Sequence, residues 1–366
     1  MIAKPSGEAP IKNIRNWVYL TEVKFGGQNF VAVIDTGSAD TWLVGSGYQC
    51  VGSGGNPQSQ SSCKFGKVYQ KTSSYADITN HVFSTKYADG ETLQGKMGRE
   101  TVDLGGITVQ NQTVAIVNKA NWKGDGQSSG LIGMAFPSVT RSLSNSKLVR
   151  YDPVFFNMYK HKLIDPVFSV ALNRPEEGAG ALALGGLPGS HVKHDSKWAR
   201  APMEHLAIKT GKSPSPAPPG ETDFALYSVK ALKFEVNGKS VGKETRVIID
   251  SGTTMSYLPA NVVDAMAQAY SPPASKFIGS YSVRCDAKAP KFGIVFNGAT
   301  MYIDPKDLIL QQGMQTGGAC MLSIQGPSGM GGAQAPFSIL GGPFMKSVVS
   351  VFDVGAAEIR FANRVR

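Results

Sequence analysis

Ile34-Asp35-Thr36-Gly37-Ser38 recurs, slightly altered, as Ile249-Asp250-Ser251-Gly252-Thr253. Each copy follows a short apolar run, Phe30–Ile34 in the first case and Val247–Ile249 in the second. The likeness extends downstream, because Leu43 and Leu258 both sit eight residues after their aspartate. Further on, Leu131-Ile132-Gly133 is echoed by Ile339-Leu340-Gly341. Self-similarity on this scale marks two halves of related design. One Asp-Ser-Gly is an ordinary turn or cap sequence. Two of them, each with a matching distant segment, specify more. The glycine lets the backbone turn tightly and brings its N–H close to the carboxylate, and the hydroxyls of Thr36, Ser38, Ser251 and Thr253 can donate to a carboxylate or to the opposite loop.

Around these loops the chain reads as strands and turns. Apolar runs such as Trp17–Phe25, Thr101–Leu104, Thr113–Val117, Val167–Leu172, Val229–Val236, Gly293–Phe296 and Val348–Phe352 are short. Gly26-Gly27, Asp89-Gly90, Gly105-Gly106 and Asn237-Gly238 punctuate them, which is the pattern of an all-β protein with many hairpins. Helical patches are few and short: around Val154–Lys162, around Asn261–Tyr270 and over Pro305–Leu310. Length, 366 residues with 42 glycines and 21 prolines, allows two such units. The prolines at 214, 216, 218 and 219 exclude sheet there and indicate an exposed insertion over 213–220.

The formal charge is +10. Lys64, Lys67 and Lys71, or Arg360, Arg364 and Arg366, are scattered rather than interleaved with aromatics. No nucleic-acid-binding signature accompanies them, so they read as a solvated basic surface. No run is long enough to span a membrane, and Met1-Ile2-Ala3-Lys4-Pro5 lacks a signal-peptide core, so secretion would require a leader outside this sequence. Four cysteines, Cys50, Cys63, Cys285 and Cys320, allow three connectivities, and an even count in Gly/Ser-rich surroundings points to an oxidising compartment. Asn111-Gln112-Thr113 is the single N-glycosylation sequon.

Two other patterns carry less. Gly126-Gln127-Ser128-Ser129-Gly130 has the spacing of a serine-hydrolase elbow but lacks the strand before and helix after that the elbow needs, so it reads as a turn. His191, His194 and His205 fit no zinc spacing and lie in what reads as loop.

At this point the sequence resembles the pepsin-like aspartic peptidases, secreted fungal members above all, from about Tyr19 to Phe361. The segments from Phe30 to Trp42 and from Val247 to Thr254 match the family's two active-site segments, and Thr85-Lys86-Tyr87-Ala88-Asp89-Gly90-Glu91 matches its flap. The resemblance implies a bilobal β fold, with lobes over 1–187 and 188–366 and a cleft between them. It implies Asp35 and Asp250 as a catalytic pair, supported by Thr36, Ser38, Trp42 and Ser251. Tyr87, Asp89, Gly37, Gly252, Thr253 and Thr254 are the implied substrate contacts, with the Tyr87 hydroxyl bonded to the Trp42 indole N–H. Tyr281-x-x-x-Cys285 and Ala319-Cys320 resemble the second-lobe disulfide, which favours pairing Cys50 with Cys63 and Cys285 with Cys320. A secreted or vacuolar monomer without metal or cofactor is implied, acting on polypeptide substrates, preferring apolar residues beside the scissile bond and blocked by pepstatin-like inhibitors. The rival reading is a pepsin-fold protein that binds without cutting. Three departures stand out: Ser129 in place of an aspartate, Ala88 in place of a flap glycine, and the Pro-rich insertion.

Overall fold

The computed structural model describes residues 5–205, 224–277, 279–310, 319–327 and 337–366; the Pro-rich segment 213–220 lies outside them. The architecture is all-β, in two lobes, with three short α-helices among the described residues. The apolar runs become strands because their alternation or continuity matches what each sheet buries. Val18–Phe25 alternates buried and exposed residues towards its end, whereas Val167–Ala171 and Gly180–Leu184 are buried throughout.

Those fully buried strands form the base on which both lobes stand. Gly7–Ile14 pairs with Gly180–Leu184, which pairs with Val167–Ala171. Val167–Ala171 then pairs antiparallel with Val348–Asp353 from the other end of the chain. Phe168 and Phe352 face one another in that register and stack with ring centroids 4.6 Å apart. The Tyr227 hydroxyl donates to the Met134 carbonyl at 2.7 Å, so the shared core also contains a polar tie between segments distant in sequence.

The internal echo is realised as the same supersecondary unit twice. Gln28–Asp35 runs parallel to Gly130–Gly133, with Asp35 opposite Gly133. Thr245–Ile249 runs parallel to Ser338–Leu340, with Ile249 opposite Leu340. In both units the later segment also receives an antiparallel strand, from Thr41–Val51 and from Ser256–Tyr257 respectively.

The turn sequences behave as their chemistry requires. Asn237 and Gly238 both hold positive φ, 50° and 81°, between Lys233–Val236 and Lys239–Val241, which suits a two-residue hairpin. Cys50 pairs with Cys63 and Cys285 with Cys320. Each bridge closes a loop and removes about 2–4 kcal/mol of freedom from the unfolded chain.

Helices appear at Val154–Lys160 and Ala260–Gln268. The expected helix over Pro305–Leu310 is instead a single 3-10 turn, Pro305–Asp307, capped by the Asp304 side chain. Ile309 and Leu310 leave it to pair with Leu322 and Met321, and sheet pairing ends the helix. Conversely Gly342–Ser347 is helical although Gly-Pro opens it. Proline costs nothing in a first turn, where its missing N–H would have no partner. His194, expected in a loop, begins strand His194–Pro202.

A buried ionic cluster also joins the halves. Arg174 reaches Asp304 and Asp307, both at 2.8 Å, and Lys346 reaches the other Asp307 oxygen at 2.6 Å. Arg174, Asp307 and Lys346 are each less than a tenth exposed, so removing one member leaves a charge that water cannot rescue. Arg174→Ala should therefore destabilise the protein by about 3–5 kcal/mol, read as a lower midpoint in urea unfolding with an unchanged slope.

Candidate active site

The two Asp-Thr/Ser-Gly loops meet where the halves face each other. Gly37 N–H donates to Asp35 Oδ1 at 2.8 Å, and Gly252 N–H donates to Asp250 Oδ1 at 2.8 Å. Ser38 Oγ donates to Asp35 Oδ2, and Thr253 Oγ1 does the same for Asp250 Oδ2. Each carboxyl group is thus fixed by its own loop.

The loops then bind one another reciprocally. Thr36 Oγ1 accepts the Ser251 N–H at 2.9 Å and donates to the Ile249 carbonyl at 2.9 Å. Ser251 Oγ accepts the Thr36 N–H at 3.1 Å and donates to the Ile34 carbonyl at 2.8 Å. Thr36 and Ser251 are both buried, so all four bonds are sheltered from water.

Glycine is needed here for space, not for φ. A Cβ on Gly37 would lie 2.5 Å from the Asp250 carboxyl group, and one on Gly252 would lie 2.4 Å from Asp35 Oδ1. Each aspartate therefore sits against the opposite loop, which brings the two carboxyl groups together. Gly133 and Gly341 serve the layer beneath: a Cβ there would meet the backbone of Ala39 at 2.4 Å or of Met255 at 2.2 Å.

Burial first, and then the charge of Asp250, pushes the Asp35 carboxyl up to about 7, against the hydrogen bonds from Ser38 and Gly37. Two like charges so close cannot both ionise cheaply, so the pair holds a proton in common. Asp35 is 7% exposed, whereas Asp250 is half-buried.

Above the pair stands a hairpin of Ala76–Lys86 and Thr92–Leu104, joined in the register Lys86 to Thr92. Tyr87 opens its turn, and its hydroxyl accepts the Trp42 indole N–H at 2.9 Å. Burial and the nearby charge of Asp35 hold the Tyr87 phenol well above the ordinary tyrosine range. Ala88 is exposed and takes no positive φ; Gly90 supplies it, at 93°, so alanine in place of glycine costs the turn nothing. Asp89 is exposed, and its Oδ1 accepts the Glu91 N–H at 3.1 Å. Thr254 lies beside the site but its hydroxyl donates to the Trp17 carbonyl at 2.8 Å.

Neighbouring residues that sequence reading did not single out complete the site. Asp40 is buried and accepts the Arg141 N–H at 2.9 Å and the Tyr151 hydroxyl at 2.6 Å. Burial pushes its carboxyl up to about 6. The Trp122 ring lies 5.2 Å from Trp42 and 5.8 Å from Tyr87, and Phe65 stacks on it at 5.9 Å. An aromatic just before the Gly-rich stretch 124–130 was a visible signal for Trp122; Asp40 carried none beyond membership of the first motif.

The other candidates lie elsewhere. Asp125 Oδ1 accepts the N–H groups of Gln127 and Ser128, both at 2.7 Å, which makes the elbow-like pattern a turn and leaves Ser128 buried. Ser129 N–H donates to the Val31 carbonyl at 2.8 Å. His191 is 3.5 Å from Glu8, and His205 stacks on Phe224. Asn111 is exposed on strand Ile107–Asn121.

Over nearly its whole length the chain is similar to known aspartic proteases. Residues 18–364 match the family model described as eukaryotic aspartyl protease. An Aspergillus fumigatus protein described as a probable aspartic-type endopeptidase is 38% identical over 98% of this chain and 81% of its own. Rhizopuspepsin-4 of Rhizopus niveus is 26% identical over 98% and 80% of the two chains. Penicillopepsin-1 of Penicillium janthinellum is 27% identical over 94% of both.

The buried acids give stability a sign with pH. Asp35 and Asp40 rise from 3.8 to about 7 and about 6, and Glu91 of the flap turn rises from 4.5 to about 7, burial leading in each case. The folded state holds these protons more tightly than the unfolded chain does. Their contribution is therefore complete below about pH 3.8 and is lost as pH rises through 6 to 7. The thermal midpoint should fall steadily between pH 4 and about pH 8, and Asp35→Asn should flatten part of that fall.

Proposed function

The chain belongs to the eukaryotic aspartyl protease family and is an aspartic-type endopeptidase, and from that premise we propose that Asp35 and Asp250 are its catalytic pair. The observation that carries this reading is the reciprocal seating of each aspartate against the other's glycine, Asp250 on Gly37 and Asp35 on Gly252. Only a shared position lets two carboxyl groups act on one water molecule.

Asp35, the more buried of the two, has its carboxyl pushed up to about 7 and keeps the proton, and Asp250 acts as the base. Asp250 takes a proton from the water as its oxygen bonds to the scissile carbonyl carbon, and Asp35 donates to the carbonyl oxygen. The tetrahedral gem-diol collapses when the carbon–nitrogen bond breaks and a proton passes to the leaving nitrogen. Thr36 and Ser251 hold the loops together, while Ser38 and Thr253 orient the carboxylates.

Substrate lies between the pair and the flap. Tyr87, braced by Trp42, closes over it and excludes water. Backbone groups of Gly37 and Gly252, with Thr253 and Asp89, offer hydrogen bonds to its main chain. Thr254, which donates to Trp17, keeps its oxygen lone pairs as acceptors. The ring faces of Tyr87 and Trp122 favour apolar residues beside the scissile bond. Two disulfides and an exposed sequon at Asn111 suit an extracellular, glycosylated monomer, whose lobes divide near residues 187 and 188.

Asp35→Asn and Asp250→Asn should each lower kcat/KM for a peptide substrate by about 10⁴-fold or more without changing the circular dichroism spectrum. Turnover retained in either variant removes the proposal. Wild-type activity should decline as pH rises through about 7, where Asp35 gives up its proton. A pepstatin-like mimic of the gem-diol should block what remains below that pH, and full activity in its presence would point to other chemistry.

A further inference from the structure

The flap turn has a second attachment, and it is a carboxyl group that the proton chemistry does not use. Ala88, Asp89 and Gly90 are exposed, yet Glu91, the next residue, is 8% exposed. Its Oε1 accepts the Lys123 N–H at 2.6 Å. Lys123 follows Trp122, the ring that packs against Tyr87 and Trp42. Within the turn, Tyr87 N–H donates to the Glu91 carbonyl at 2.9 Å and Gly90 N–H to the Tyr87 carbonyl at 3.1 Å. Asp89 Oδ1 accepts the Glu91 N–H at 3.1 Å, which sets the Asp89 carboxyl beside the turn. A flap turn closed by its own backbone needs no acid here, and a buried carboxyl group is costly unless its bonds are made. What Glu91 adds is a bond that leaves the hairpin and ends on the body of the protein.

We propose that Glu91 is a positioning residue, whose buried carboxyl group ties the flap turn to the Trp122–Lys123 segment and so sets where the Tyr87 ring rests relative to Asp35 and Asp250. The inference rests on reading those aspartates as the catalytic pair. Lifting the flap breaks the Lys123 N–H bond, so the tie biases the flap towards the position in which Tyr87 meets Trp42. The charged and titratable groups that face Glu91 are Asp89 across the turn, Lys123 below it and Tyr87 at its start. Burial and the charge of Asp89 push the Glu91 carboxyl up to about 7. Across the acid range Glu91 is protonated and the turn is held. Above it, the repulsion between ionised Glu91 and the Asp89 charge outweighs the stronger Lys123 N–H bond, and the turn loosens.

The test compares the full chain with Glu91→Ala and Glu91→Gln, reading amide hydrogen exchange of residues 84–95, which needs no turnover, beside kcat and KM on one peptide. At pH 5, Glu91→Ala should lose about tenfold of flap protection and raise KM about tenfold, with kcat within about threefold. Glu91→Gln keeps an oxygen for the Lys123 N–H, so it should match wild type at pH 5. It should also lack the loss of flap protection that wild type shows between about pH 6 and 8. Unchanged flap exchange in Glu91→Ala overturns the proposal, and so does Glu91→Gln behaving like Glu91→Ala at pH 5. If Glu91→Ala fails to fold, the pH dependence of Glu91→Gln decides alone. If exchange responds as stated but Asp35→Asn still cleaves, the dyad reading fails while the tie stands.

Discussion

Four hydrogen bonds between Thr36 and Ser251 and the carbonyls of Ile249 and Ile34 hold the molecule's two halves in register. Each loop's buried N–H and hydroxyl groups are satisfied by the opposite loop, so neither half can meet its own needs alone. A buried donor or acceptor left without a partner costs about 1–3 kcal/mol. Separating the loops would expose several at once. The spacing of the two aspartates is therefore as rigid as the contact between the lobes.

That contact has a long lever beneath it. Strands from the middle and the end of the chain pair at Val167–Ala171 and Val348–Asp353, and Gly7–Ile14 joins them through Gly180–Leu184. Phe168 and Phe352 stack across the join, and the Arg174, Asp307 and Lys346 cluster adds an ionic tie at its edge. Packed sheet and buried charge together resist the shear that would misalign the carboxyl groups. The glycines at 37, 252, 133 and 341 then let backbone and carboxyl groups approach more closely than any side chain would permit.

Burying acids this densely has one consequence for the whole molecule. Asp35, Asp40 and Glu91 all favour their protonated forms, so the three buried acids are matched to the same side of neutral pH. The net charge of +10 does not alter this, because surface cations are screened by solvent and the three acids are not.

The sequence by itself determined the all-β class, the two-part design and the two motif aspartates, because strand periodicity, turn residues and an internal repeat are local signals. The neighbour pairing of the cysteines and the Tyr87 to Trp42 bond came from the resemblance to the aspartic peptidases and are present in the fold. Only the tertiary structure decided that Gly37 and Gly252 are there to make room rather than to turn the chain, since that depends on what sits opposite. It also brought Asp40, Glu91 and Trp122 to their partners Tyr151, Lys123 and Tyr87, which only folding sets. The helix over Gly342–Ser347 and the strand Ile309–Leu310 belong to the same class. Local propensity opposed the one and missed the other, and in each case burial and sheet pairing, which no short stretch encodes, outweighed it.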